Sequence, residues 1–300
     1  MDAGAPDAGV DAGVTVDAGS RTDAGLTSPD AGYVRGSLTG CWSDVRCQRV
    51  FSIAHGGSWN ATSLPYDSTG ALNASIADGT DGVKIDVRVT KDNVPVISHS
   101  SPLQFYESVD CVGQKIEDMT VAQVTACHRF PSTTEKFQRL DDVLNLLRGK
   151  LVAQLTVKRS VDYARTIDEV HAQHAEDFAF LEISAAELTT QIPTIPGAGT
   201  VKYVINAAST LTDVDVVLAA NNPNAFIVEF DPPVQLGTIV TARLHPAGIR
   251  SFTYTNAAAP TVADLKALFD KGFDIVSSQS GANGVAARQQ VNQARGVTPP

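Results

Sequence analysis

Gly82-Val83-Lys84-Ile85-Asp86-Val87-Arg88-Val89, then Thr90-Lys91-Asp92-Asn93, then Val94-Pro95-Val96-Ile97-Ser98-His99, is the stretch on which the fold turns. In a strand, residues two apart share a face. Val83, Ile85, Val87 and Val89 make one apolar face, while Lys84, Asp86 and Arg88 make the other. Three charges on one face are costly unless they are paired or used. Such a strand suits a barrel whose outer side is covered by helices and whose axis holds polar groups.

The rest of the chain repeats the alternation. Short β-branched runs at 50–55, 82–89, 151–157, 178–183, 201–206, 225–230, 249–255 and 273–278 read as strands. Helical patterns lie near 68–78, 119–127, 140–148, 161–175, 212–220, 235–244, 261–270 and 284–294. Eight strands alternating with helices over about 250 residues predict an α/β fold, a single (β/α)8 TIM-type barrel over 33–300. A doubly wound open sheet is the competing architecture. The segment 94–99 is an extra extended piece after the second strand. Functional groups of a barrel gather where strands end, on the C-terminal face.

Residues 1–32 are different in kind. Asp-Ala-Gly recurs six times, at Asp2, Asp7, Asp11, Asp17, Asp23 and Asp30, with no apolar periodicity. Such a segment cannot bury enough surface to offset chain entropy, which predicts a disordered, self-repelling linker. It carries −5 of the net charge of −10. A linker of this kind suggests a signal peptide or lipid anchor upstream, and hence an exported or surface-tethered protein. Leu38-Thr39-Gly40-Cys41 spells a lipobox-like tetrapeptide, but the polar stretch before it lacks an apolar h-region. No basic block points to nucleic acid and no run of about 18 apolar residues suggests a membrane span. Four cysteines allow three pairings, of which Cys41 with Cys47 and Cys111 with Cys127 is favoured because each closes a short loop. Two short disulfide loops in an oxidising compartment are the expectation, with four buried thiols as the alternative.

The chemistry gathers at two histidines. His55 ends the first strand in Ser52-Ile53-Ala54-His55-Gly56-Gly57, and His99 follows the extended piece. One imidazole can take a proton from a nucleophile while the other protonates a leaving oxygen, which suits phosphodiester cleavage. Trp59, Tyr66 and Phe105 lie in loops after the first two strands, where they could line a lipid-side rim or pack on their own loops. Asn206, Asp231, Tyr254 and Asn256 fall near the ends of later strands.

These residues resemble the glycerophosphodiester phosphodiesterases, within the wider superfamily of barrel phospholipase C-like phosphodiesterases. The family reads roughly Ile-Ala-His-Arg-Gly, then Pro-Glu-Asn-Thr, then Gly-Ala-Asp-x-Ile-Glu-x-Asp-Val-x-x-Thr-Lys-Asp-Gly-x-Pro-Val-x-x-His-Asp. Matching it are Ile53-Ala54-His55-Gly56-Gly57, Pro65-Tyr66-Asp67-Ser68-Thr69 and Gly79 to Ser100. Ile116-Glu117-Asp118-Met119-Thr120, Arg139-Leu140-Asp141-Asp142-Val143-Leu144 and Lys158 follow in order. So do His245-Pro246-Ala247-Gly248-Ile249, Tyr254-Thr255-Asn256 and Gly272-Phe273-Asp274.

The departures fall on the chemistry. The family's Arg after the first His is Gly56, and the Asp after the second His is Ser100. Its metal-binding Glu residues fall on Lys84 and Thr156. Of three acidic ligands Asp86 alone remains, and one carboxylate beside an ammonium holds a divalent cation poorly. The resemblance thus implies a phosphoric diester hydrolase or lyase acting on a glycerophosphodiester or phospholipid headgroup, without metal or other cofactor. In that expectation His55 and His99 are the acid–base pair. Asp86 orients a histidine or Lys84, and Lys84 sits at the metal position. Lys158, with Arg88 and Tyr254, holds substrate. The expected enzyme is a monomer that meets its substrate alone or at a membrane surface. The competing expectation is a catalytically silent barrel kept as an exported binding protein.

Overall fold

The computed structural model describes residues 33–60, 63–206, 211–230 and 239–297. The expected linker at 1–32 and the expected site residue Asp231 lie outside the described residues.

Eight parallel strands close into a barrel: β1 (Phe51–His55), β2 (Gly82–Val89), β4 (Val152–Val157), β5 (Ala179–Ser184), β6 (Lys202–Asn206), β7 (Ala225–Phe230), β8 (Arg250–Tyr254) and β9 (Ile275–Ser278). Closure comes from β1, which pairs with β9 on one side and with β2 on the other. The extra extended piece is β3 (Pro95–Ile97), antiparallel to the far end of β2. The open sheet is excluded. Helices between the strands include α1 (Thr69–Asp78), α2 (Val121–Ala126), α3 (Leu140–Leu147), α4 (Tyr163–Ala172), α5 (Ala185–Thr190), α6 (Leu211–Ala220), α7 (Val262–Asp270) and α8 (Gly281–Ala294). Ser68, Thr120, Ser184 and Thr261 start four of them by accepting from a backbone N–H of the first turn, as N-cap residues do.

The two-residue period sorts the core as the sequence predicts. Val83, Ile85 and Val87 of β2, with Leu155, Leu181 and Ile205 on neighbouring strands, pack outward on the helices. The alternate residues point to the axis. At the N-terminal end these are apolar, Val152, Phe180, Val204 and Phe252 among them, and Trp42 closes over that end. At the other end the axial positions turn polar: Lys84, Asp86, Gln154, Glu182 and Glu229 are all buried. Both expected disulfides are present, Cys41–Cys47 and Cys111–Cys127. Among the described residues no helix is long and apolar enough to cross a membrane.

Candidate active site

The two histidines are delivered by opposite approaches along one edge of β2. β1 runs up that edge, with His55 level with Lys84, and its last bond there is from Gly56 N to the Lys84 carbonyl, 2.8 Å. β3 runs down the same edge, and Ser98 N donates to the next acceptor, the Asp86 carbonyl, at 2.9 Å. The residues just beyond the two meeting points are therefore neighbours. His55 and His99 line one cavity of about 630 Å³. Tyr66 stands against both, with ring centroids 5.9 Å from His55 and 6.0 Å from His99.

Gly56 permits this arrangement. Its φ of +70° suits glycine, and a Cβ there would lie 2.0 Å from the Tyr66 ring. The aromatic ring thus fills the space that a side chain at position 56 would need. The Tyr66 hydroxyl donates to Asp86 Oδ2 at 3.0 Å. Burial and the Asp86 charge push the phenol well above its usual range, so it stays protonated and donating.

The axial charges form a triad and a pair. Lys84 Nζ lies 2.6 Å from Glu182 Oε2 and 3.1 Å from Glu229 Oε1. Gln154 Nε2 donates to both carboxylates, and Thr156 Oγ1 and Asn206 Nδ2 donate to Glu182. Lys158 Nζ sits 2.6 Å from Asp86 Oδ1. Asp86 therefore holds Lys158 and Tyr66. Burial raises the Glu229 carboxyl to about 7, helped by the Glu182 charge. Burial works against ionisation at Glu182 too, but the Lys84 ammonium overrides it and holds that carboxyl at about 2. His55 is lowered to about 4, first by burial and then by the Lys84 charge, so its imidazole is neutral near pH 7. Its Nδ1 is buried with no hydrogen-bond partner among the described residues.

His99 is exposed, and its backbone is clamped instead. The buried Glu107 carboxylate accepts from His99 N, Ser100 N and Ser98 Oγ, at 2.7 to 3.0 Å. The Arg88 guanidinium donates to the His99 carbonyl at 2.9 and 3.1 Å. Arg88 thus supports a histidine's backbone from the rim. Tyr254 lies edge-on to His55 at 6.3 Å, with Lys84 Nζ 5.8 Å from its ring centre. Trp59 and Asn256 line the cavity, as does Phe130. Glu182, Glu229, Glu107 and Gln154 are site residues absent from the sequence expectations. Glu182 and Glu229 sit within three residues of the ends of predicted strands, and their axial parity was the available signal.

The donor set does not fit the divalent cation that the fold family implies. Lys84 Nζ lies between the Glu182 and Glu229 carboxylates, and Asp86 is taken by Lys158 and Tyr66. Among the described residues, the one group of three potential ligands with atoms within 4.8 Å of one another is Asp110, Cys111 and Cys127, whose two sulfurs are joined in a disulfide.

Residues 60–183 match the model of the glycerophosphoryl diester phosphodiesterase family. The fold is shared with solved structures of low identity. A glycerophosphoryl diester phosphodiesterase from Parabacteroides distasonis aligns with TM-score 0.69 at 17% identity, over 81% of this chain and 88% of that one. A putative glycerophosphoryl diester phosphodiesterase from Silicibacter pomeroyi aligns with TM-score 0.66 at 16% identity, over 84% and 96%. A phosphodiesterase from Oleispira antarctica, solved with the product sn-glycerol-3-phosphate, aligns with TM-score 0.60 at 16% identity, over 80% and 96%. No curated protein matches the chain.

Proposed function

We propose, from the match of residues 60–183 to the glycerophosphoryl diester phosphodiesterase family, that this barrel cleaves a glycerophosphodiester with two histidines and lysine charge in place of a metal. The observation that carries the reading is the head-on delivery of His55 and His99 by β1 and β3 into one cavity; the Lys84 and Lys158 ammonium groups lie outside its lining, within electrostatic reach of His55.

His55, neutral near pH 7, is the group able to accept a proton. It takes one from the glycerol 2-hydroxyl as that oxygen attacks phosphorus. His99 gives a proton to the departing alcohol oxygen. One P–O bond forms and one breaks, which leaves a cyclic phosphate and a free alcohol. Water then opens the ring with the proton roles reversed. Lys84, buried, and Lys158, half-buried, are each held by carboxylates and would act on the phosphorane as fixed charges at a distance, without reorganising. The product bound in the Oleispira antarctica structure, sn-glycerol-3-phosphate, is what ring opening would yield here. Two disulfides fit an oxidising, exported setting.

A second reading has its own observation. Lys84 is shared between two glutamates and Lys158 is held by Asp86, so a silent binding barrel would look alike at these positions. One assay separates the two. Hydrolysis of a panel of glycerophosphodiesters is followed for wild type, His55→Ala and His99→Ala, with and without EDTA. Turnover that survives chelator and drops at least about a hundredfold in each variant is the expected result. No turnover on the panel would leave the binding barrel. Inhibition by EDTA that added Ca²⁺ or Mg²⁺ reverses would refute the lysine mechanism.

A further inference from the structure

The cavity between the histidines has a largely apolar wall. Trp59, Leu64, Tyr106, Phe130 and Pro131 line it together with the polar groups of the site. A bare glycerophosphodiester has nothing to place against such a wall. The wall also continues outward. Phe105, Tyr106 and Phe130 are 71%, 50% and 45% exposed, and they are the large exposed aromatics among the described residues. Val109 and Val112 are exposed on the same loop. Clustered exposure of this kind marks a contact surface.

The loop that carries these side chains is held stiffly. Cys111–Cys127 closes it, and Asp110 is bonded to His128, with Nδ1 to Oδ2 at 2.7 Å. Phe130 N donates to the Glu107 carbonyl and Val109 N to the His128 carbonyl. Glu107 ties the same loop to His99. The aromatics therefore keep a constant position relative to the reacting groups, which lowers the ordering cost of binding.

We propose that the phosphodiester taken by this site carries a single apolar chain, as a lysophospholipid does, and that Trp59, Leu64, Tyr106, Phe130 and Pro131 hold the start of that chain, with Phe105 along its exit. The proposal rests on the phosphodiester reading of the site and names its substrate class.

The test compares two ligands that share a glycerophosphocholine diester and differ by one chain: glycerophosphocholine, and 1-lauroyl-lysophosphatidylcholine below its micelle concentration. Binding to the full chain is measured by calorimetry for wild type and Phe130→Ser, and turnover of both ligands is recorded alongside. Two buried methylenes are worth on the order of tenfold in affinity, so the lauroyl ligand should bind at least about tenfold more tightly. In Phe130→Ser the ratio of the two affinities should narrow by at least about threefold. Equal binding of the two ligands by wild type, or a ratio untouched by the substitution, would overturn the proposal. Tighter lauroyl binding with no turnover of either ligand supports the chain site and counts against the enzyme. Turnover of glycerophosphocholine with equal binding of both keeps the enzyme and removes the chain site.

Discussion

Lys84 sets one ammonium between two buried carboxylates, and the consequence is a site that depends on the lysine for its stability. Its ammonium separates Glu182 and Glu229, which Gln154 also bridges. In Lys84→Met two buried carboxylates would face each other with no cation between them. Both would then be raised above the unfolded value of about 4.3. A raised folded value gives stability that is present below the unfolded value and lost as pH climbs through the folded one. The deficit against wild type in urea denaturation should therefore grow from pH 5 to pH 8, reaching about 3–5 kcal/mol for a broken buried pair. A deficit equal at both pH values would mean that the carboxylates have found other partners. The same ammonium acts on His55, whose value of about 4 owes its second largest contribution to Lys84. On the acid side, kcat/KM should hold down to about pH 4 and then fall as His55 protonates. Lys84→Met should shift any remaining acid limb to higher pH. An acid limb near pH 6–7 in wild type would place the titrating base elsewhere.

At the scale of elements, the sequence was legible wherever a period was expressed. Each predicted strand falls within about two residues of the observed bounds, because alternation in β2 and the β-branched runs elsewhere are local signals. α5, Ala185–Thr190, is not among the expected helices because it follows β5 with no intervening loop, Ser184 being both the last residue of the strand and the N-cap of the helix. In the expected helix 235–244, the described part is a π-helical turn, Val240–Leu244. His55, Lys84, Asp86 and His99 were found because they stand in one contiguous block. Glu182 and Glu229 were not, since their meaning comes from pairing with Lys84 across the barrel, nearly a hundred residues or more away along the chain. Glu107 likewise shows its use only once its loop folds back on His99. That loop owes its form to Cys111–Cys127, which encloses a 16-residue separation. The double variant Cys111→Ser/Cys127→Ser should lose about 2–3 kcal/mol in urea denaturation. Its KM should rise more than its kcat falls, because the aromatic rim loosens while β1 still delivers His55. A loss confined to kcat, with KM constant, would show that the loop serves the chemistry rather than binding.

Over the whole molecule, the two ends of the barrel carry separate tasks, and the N-terminal end is closed by the first described residues. Trp42 stacks on Phe51 with ring centroids 4.1 Å apart and packs towards Phe180. Tyr33 donates to Asp81, which also pairs with Arg288 of α8 at 2.7 Å, so the two ends of the described chain are tied to the start of β2. The 41–47 disulfide loop turns its carbonyls inward, and the buried Arg250 at the start of β8 donates to those of Cys41, Trp42, Asp44 and Cys47. A planar guanidinium with five donors is suited to gather several carbonyls at once. Arg250→Met would fill the volume but leave these acceptors buried without that donor, at a cost of about 1–3 kcal/mol for each group left unsatisfied. Urea denaturation should show a loss of at least about 3 kcal/mol, less than the sum because the loop can turn some carbonyls to water. The histidines, at the opposite ends of the strands, are supported by β2, Tyr66 and Glu107 rather than by this plug. The kcat/KM of the folded variant should therefore remain within about twofold of wild type. A tenfold fall in kcat/KM at full folding would show that packing along the axis couples the two ends, and that the plug sets the geometry of the site as well as the stability of the barrel.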